Sequence, residues 1–166
     1  MTEPVQPKPV LAGSSALEHL PVLLLETLDC LSINKNGTYV DATFGRGGHC
    51  RAILAALSGR GRMIALDRDP QAIAVAEKLQ IREPRLQVFQ ARFAELGTVL
   101  ERCGLTDSIH GVLMDVGVSS PQLDDPNRGF SFRHSGPLDM RMDPTRGVDA
   151  AQWLNSADEA VIANII

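Results

Sequence analysis

Three aspartates set around one cluster of glycines are the residues of this chain whose types and spacing could do chemistry. Thr38-Tyr39-Val40-Asp41 reads as a short apolar strand closing on an acid, and Ala42-Thr43-Phe44-Gly45-Arg46-Gly47-Gly48-His49 follows as a glycine turn into a helix. A second apolar run, Met63-Ile64-Ala65-Leu66, closes on Asp67, where doubly wound folds keep the carboxylate that grips a ribose. A third, Gly111-Val112-Leu113-Met114, closes on Asp115. A sharp strand-to-helix turn that offers its main-chain N–H groups to a ligand has no room for Cβ atoms, which accounts for Gly45, Gly47 and Gly48. The spacing departs from the dinucleotide fingerprint, because Cys50 stands where that motif needs a third glycine or alanine. Asp41 also adds negative charge where a pyrophosphate would lie. Both features favour an adenosine ligand with a positive centre, a sulfonium or an ammonium, over a nicotinamide dinucleotide.

The elements that must position these acids alternate. Pro21 to Leu31 reads as a helix apolar over most of its surface and therefore buried. Strand one is 39–42, a helix covers 48–57, and strand two is 62–66. Asp69-Pro70 supplies an N-cap and a first-turn proline for a helix over 71–79. Strand three is 86–89, a helix spans 93–102, and strand four is 111–115. This alternation predicts parallel βαβ units in a doubly wound α/β sheet. Ligands of such sheets bind outside the carboxyl ends of the strands, so Asp41, Asp67 and Asp115 should converge on one crevice.

From 116 to 148 the chain carries four glycines and four prolines together with Ser119 and Ser120, too many breakers for a regular element, and it reads as a long loop. Four arginines in it offset four aspartates, so it is no simple phosphate patch. Its mixed charge, with Phe130 and Phe132, suits a folded substrate loop.

Composition sets bounds. The chain has 166 residues, 44% apolar and 22% charged, as in an ordinary soluble globular domain. Its net charge of -4 argues against a wholesale nucleic-acid binder, so any RNA contact must be local. Three cysteines without a C-x-x-C pair suit a reducing cytosol, and the four histidines lie too far apart in sequence to suggest a metal site. There is no basic signal-like start, and the Leu20 to Leu25 stretch is far too short to span a bilayer, so a cytoplasmic location is expected. Residues 1–15, with three prolines and few large apolar groups, should form a disordered tail.

Five blocks in order make the sequence specific. They are His19-Leu20-Pro21-Val22-Leu23-Leu24, the Asp41 to His49 turn, Asp67-Arg68-Asp69-Pro70-Gln71-Ala72-Ile73, Asp115-Val116-Gly117-Val118-Ser119-Ser120-Pro121-Gln122-Leu123-Asp124, and Arg128-Gly129-Phe130-Ser131-Phe132 leading to Gly136-Pro137-Leu138-Asp139-Met140-Arg141-Met142-Asp143-Pro144. Over about 19–155 the chain resembles the bacterial 16S ribosomal RNA cytosine-N4 methyltransferases, S-adenosylmethionine enzymes that modify a cytidine of the decoding region. The resemblance implies a Rossmann-like methyltransferase fold. It implies that Gly47, Gly48 and His49 hold the methionine end of the cofactor and Asp67 its ribose hydroxyls. Phe93 would pack on or near the adenine, while Asp115 and Gln122 complete the pocket. The partner it implies is 16S rRNA in the small ribosomal subunit.

Many amino methyltransferases follow strand four with Asp/Asn-Pro-Pro-aromatic, whereas Asp115 here is followed by Val116-Gly117-Val118-Ser119-Ser120-Pro121. The group that accepts the proton thus stays open between Asp115 and the loop around Ser119 and Ser120. Four strands are also only half of such a sheet, and Ser156-Ala157-Asp158-Glu159 reads as a capping box opening a helix at the start of a further helical domain over 149–166. The expectation is of an N-terminal portion, poorly stable alone, with apolar Val161, Ile162, Ile165 and Ile166 driving dimerisation or aggregation. A catalytically silent cofactor-binding fragment and, less favoured, a nicotinamide-dependent dehydrogenase domain are the rival readings.

Overall fold

The computed structural model describes residues 21–165. The expected disordered tail at 1–15, the His19-Leu20 start of the first block, and Ile166 lie outside the described residues. The described chain runs α1 (Leu24–Leu31), β1 (Thr38–Asp41), α2 (Gly48–Ala56), β2 (Arg62–Asp67), α3 (Pro70–Gln80), β3 (Leu86–Gln90), α4 (Leu96–Cys103), β4 (Gly111–Leu113), α5 (Ser120–Asp124), α6 (Ala150–Ser156) and α7 (Glu159–Ala163). One-turn 3₁₀ segments at Phe93–Glu95 and Pro126–Arg128 complete it.

All strand pairs are parallel, in the order β3-β2-β1-β4. The order reverses between β1 and β4, and the crevice outside the carboxyl ends at that switch point is where doubly wound sheets bind ligands. Alternate residues of the central strands feed two cores. Tyr39, Met63, Ala65 and Leu86 meet Ile53 and Leu54 of α2 and Ala72 and Ala76 of α3 on one face. Val40, Ile64 and Leu66 meet Val99 of α4 and Leu105 on the other. β1 is buried at every position, and each fully buried large side chain there or in β2 contributes about 1.5–3 kcal/mol of hydrophobic stabilisation. The expected α/β class and parallel sheet are observed.

Three local expectations need correction. α1 starts at Leu24 and buries none of its residues fully, with Val22, Leu23 and Leu25 exposed. Its neighbour among the described residues is α2, so only the stripe carrying Leu28 and Leu31 reaches the core. The 116–148 stretch is not free of regular structure: Ser119 opens the short α5, and its capping box with Gln122 overrides the surrounding breakers. At the other end α6 begins under an Asp149 cap that accepts from the Gln152 amide, and Ser156 belongs to its last turn, bonding back to the Gln152 carbonyl. Ser156 therefore does not open a capping box, and α7 starts beyond Asp158 with no side-chain cap. No helix among the described residues is long and apolar enough to cross a membrane.

Candidate cofactor and substrate cleft

Beyond β1 the chain wraps around the buried Phe44 ring. The Phe44 amide donates to the Leu66 carbonyl (2.9 Å), the Gly45 amide to Asp67 Oδ2 (2.8 Å), and the Gly47 amide to the Phe44 carbonyl (2.7 Å). Gly47 lies at φ 76°, and a Cβ there would strike the Phe44 ring, so only glycine fits. No side chain caps the N-terminus of α2, leaving the N–H groups of its first turn to face a ligand.

Asp67 at the end of β2 accepts one backbone N–H on each oxygen, from Gly45 and, at 2.9 Å, from Asp69. Each oxygen keeps a lone pair for a hydroxyl donor. Burial holds its carboxyl above the usual aspartate range despite those two bonds.

Asp41 is 1% exposed, and burial pushes its carboxyl up to about 6; the Thr43 amide and His49 pull the other way, and Asp67 and Asp115 add to the rise. Because the folded value exceeds the unfolded one of about 3.9, the native state binds more protons between them, and this group's contribution to stability falls as pH rises from about 4 to 6. The loss is at most about 3 kcal/mol. Asp41→Asn, which keeps the oxygen that accepts from Thr43, is expected to flatten that slope in urea titrations at pH 4 and pH 7 and to raise stability at pH 7. An unchanged slope would show that Asp41 ionises freely in the fold.

Asp115 lies two residues beyond β4, half exposed, with its amide donating to Thr43 Oγ1 at 2.7 Å. Its Oδ2 stands 3.9 Å from His49 Nδ1. The buried His49 ring places Nε2 3.0 Å from the Val22 carbonyl, which requires that nitrogen to carry the proton and donate. The histidine thereby joins the segment before α1 to the start of α2, while the strand-four acid stands beyond hydrogen-bond reach of its other nitrogen.

The residues singled out by sequence border one cleft of about 1370 Å³: Gly48, His49, Asp67, Phe93, Asp115, Ser119, Ser120 and Gln122 all line it. Gly47, tucked behind them, is buried in the turn and does not line it, and neither does Asp41, which the close packing around the end of β1 covers almost completely, so only two of the three strand-end acids reach the cleft. Phe93 is exposed, 48%, at the start of the 3₁₀ turn, with its ring free to meet a ligand. Gln122 is 5% exposed and engaged on both ends, Oε1 accepting from the Ser119 amide (2.9 Å) and Nε2 donating to Asp69 Oδ2 (2.7 Å). It supports the wall of the cleft more than it offers groups to the interior.

That last bond leads to a cluster that sequence reasoning missed. Asp69, read there only as an N-cap, does accept from the Gln71 amide on Oδ1 (2.9 Å), but its Oδ2 also takes the Arg128 Nη1 at 2.8 Å. Both partners are 5% exposed. Arg128 Nη2 donates in turn to the Arg141 and Met142 carbonyls. One carboxylate thus ties the loop after β2 to α5 and to the far end of the 116–148 stretch. The signal available was an arginine beside glycine in a charge-balanced loop, which does not say which acid it meets.

Parallel strands in this order, with a glycine turn and strand-end acids gathered on one crevice, define the class of Rossmann-like nucleoside-binding domains. Within that class the chain belongs to the MraW methylase family, whose model matches residues 16–166. It is 55% identical over 148 residues to the ribosomal RNA small subunit methyltransferase H of Chromobacterium violaceum, covering 89% of this chain and 46% of that protein. It is 54% identical over 153 residues to the protein of the same name from Azoarcus sp. (strain BH72), covering 92% and 48%. The chain therefore spans about half the length of these curated relatives. A solved putative rRNA-methylase from Clostridium thermocellum shows a partial likeness, with a TM-score of 0.41 and 21% identity over 45% of each chain.

Proposed function

We propose that this chain carries the cofactor-binding part of an S-adenosylmethionine-dependent methyltransferase acting on the exocyclic N4 amino group of a cytidine in the decoding region of 16S rRNA. The observation that carries the reading is the meeting of Asp67 and Asp115 in one cleft beside a glycine turn, with Asp41 buried behind it, in a chain of the MraW methylase family. The residues fit the cofactor. Asp67 has acceptor capacity left for a ribose diol, the uncapped start of α2 suits a carboxylate, Phe93 offers a ring to an adenine, and the strand-end acids Asp67 and Asp115 at the cleft favour a positive sulfur.

When bound, S-adenosylmethionine supplies an electrophilic methyl group. The chain's residues supply position and a proton acceptor. A cytosine amino group is a poor nucleophile because its lone pair is delocalised into the ring, so it must be held in line with the methyl and relieved of a proton as the new C–N bond forms. Asp115, half exposed at the cleft and anchored through Thr43, is placed to take that proton, with Ser119 and Ser120 lining the adjoining wall. The base must leave any stack to enter, at a cost of about a few kcal/mol that is smallest in unpaired RNA. The partner is the small ribosomal subunit, and the place of action is the cytoplasm. Exposed Val161 and Ile165 on and beyond α7 form the apolar surface for self-association.

Transfer of labelled methyl from S-adenosylmethionine to small subunits, read at the nucleoside level, tests the reading, and labelling at any other atom overturns the assignment of the acceptor. Cofactor binding has its own test. Asp67→Asn preserves shape but weakens acceptance of the ribose hydroxyls, and S-adenosylhomocysteine affinity by calorimetry is expected to fall by about 1.5–3 kcal/mol. Equal affinity would remove Asp67 from the site.

A further inference from the structure

The geometry points to a single-stranded RNA contact at the loop tip Gly129–Gly136, with Phe132 as a base-stacking ring and Arg133 as its phosphate partner. The inference rests on the proposed RNA substrate and names the part of the chain that meets it. Phe132 is 103% exposed, as open as in an extended peptide, whereas Phe130 two residues earlier is partly covered. Arg133, His134 and Ser135 beside it are exposed too. Among the described residues the Arg133 side chain makes no ion pair, and its amide alone is tied, to Ser131 Oγ at 3.3 Å.

The tip stands on a fixed neck. The buried Arg128 guanidinium grips Asp69 and the Arg141 and Met142 carbonyls, and the Met140 amide returns to the Arg128 carbonyl at 3.0 Å. A Cβ at Gly136 would run into the Pro126 carbonyl, so the two arms of the loop close tightly there. Asp69 and Met142, which hold this neck, also line the cleft, so the tip is anchored at the cleft's edge.

Charge favours RNA locally. Asp139, the acid nearest in sequence, is paired with Arg141, and among the described residues no carboxylate stands within ion-pair distance of Arg133. That reconciles an acidic chain of net charge -4 with a nucleic-acid substrate, because a local basic contact at one projection does not need a basic chain. A lone ring in a polar field also suits the π-face of a base better than a protein surface, which would need a contiguous apolar patch. Stacking of unpaired bases on aromatic rings with arginine to phosphate is the usual chemistry of single-stranded RNA recognition.

The test is titration of a short fluorescein-labelled single-stranded RNA into the full chain, read by anisotropy, with S-adenosylhomocysteine binding measured on the same samples. Phe132→Ala and Phe132→Leu are expected to weaken RNA binding by roughly 5- to 100-fold, Phe132→Tyr to retain it, and Arg133→Gln to lower the salt slope by about 0.7. S-adenosylhomocysteine affinity should stay unchanged in all four. RNA affinity independent of position 132, or absent in the parent chain, overturns the proposal while cofactor binding leaves the methyltransferase reading standing. A change in light-scattering mass on Phe132→Ala without an effect on RNA would assign the ring to protein contact and overturn it as well. Loss of S-adenosylhomocysteine binding by the parent chain would instead sink the cofactor reading.

Discussion

Arg128→Ala is expected to destabilise the domain by about 3–5 kcal/mol, because it leaves the Asp69 carboxylate buried without its cation. Marginal stabilities of about 5–15 kcal/mol make that roughly a fifth of the total or more. The pair itself is not a net source of stability. A buried ion pair roughly cancels its own desolvation, and the damage comes from removing one half of it. Arg128 also satisfies the carbonyls of Arg141 and Met142, so its loss frees the segment leading to α6. Urea unfolding of the parent and of Arg128→Ala measures the effect, and the pair Asp69→Asn with Arg128→Met should recover part of it, since neither charge is then stranded. A midpoint within experimental scatter of the parent's would mean that water reaches Asp69 and that the ion pair is not closed in solution.

Asp115→Asn is expected to slow methyl transfer by about 10²- to 10⁴-fold in single turnover while leaving cofactor affinity near its parent value. An amide keeps the size of the side chain and its approach to His49, but it accepts no proton at neutral pH. Anchoring of the Asp115 backbone to Thr43 Oγ1 does not involve the carboxylate, so the substitution should not move the loop. If affinity and rate fall together, Asp115 is a ligand of the cofactor and the acceptor must be sought between Ser119 and Gln122. If neither falls, the acid is a bystander at the rim.

The parts of this architecture that could be read from sequence are those written in neighbouring residues. Asp69-Pro70 caps α3 as the dipeptide predicts, and the apolar runs that close on Asp41 and Asp67 are β1 and β2. α5 and α6 were hidden because their caps, Ser119 and Asp149, sit among glycines and prolines that ordinarily signal loops. The burial of α1 was misjudged for another reason. Periodicity shows which face is apolar, not whether a neighbour exists to cover it, and Leu25 has none among the described residues. The Asp69 cluster was out of reach of any local pattern, since its bonds join residues 53 and 59 positions apart. Only the fold brings an N-cap aspartate, a loop glutamine and a loop arginine to one point.

Asp69 meets three obligations at once: it starts a helix, neutralises a guanidinium and anchors an amide. Its own amide in turn steadies Asp67. No other side chain of similar length performs all three, and each single replacement at 69 or 128 strands a buried partner. Divergence at these positions is therefore closed to one-step paths. Lineages of this family should either keep Asp69, Gln122 and Arg128 together or exchange them as a set, so the three behave as one inherited character spread over 60 residues of chain.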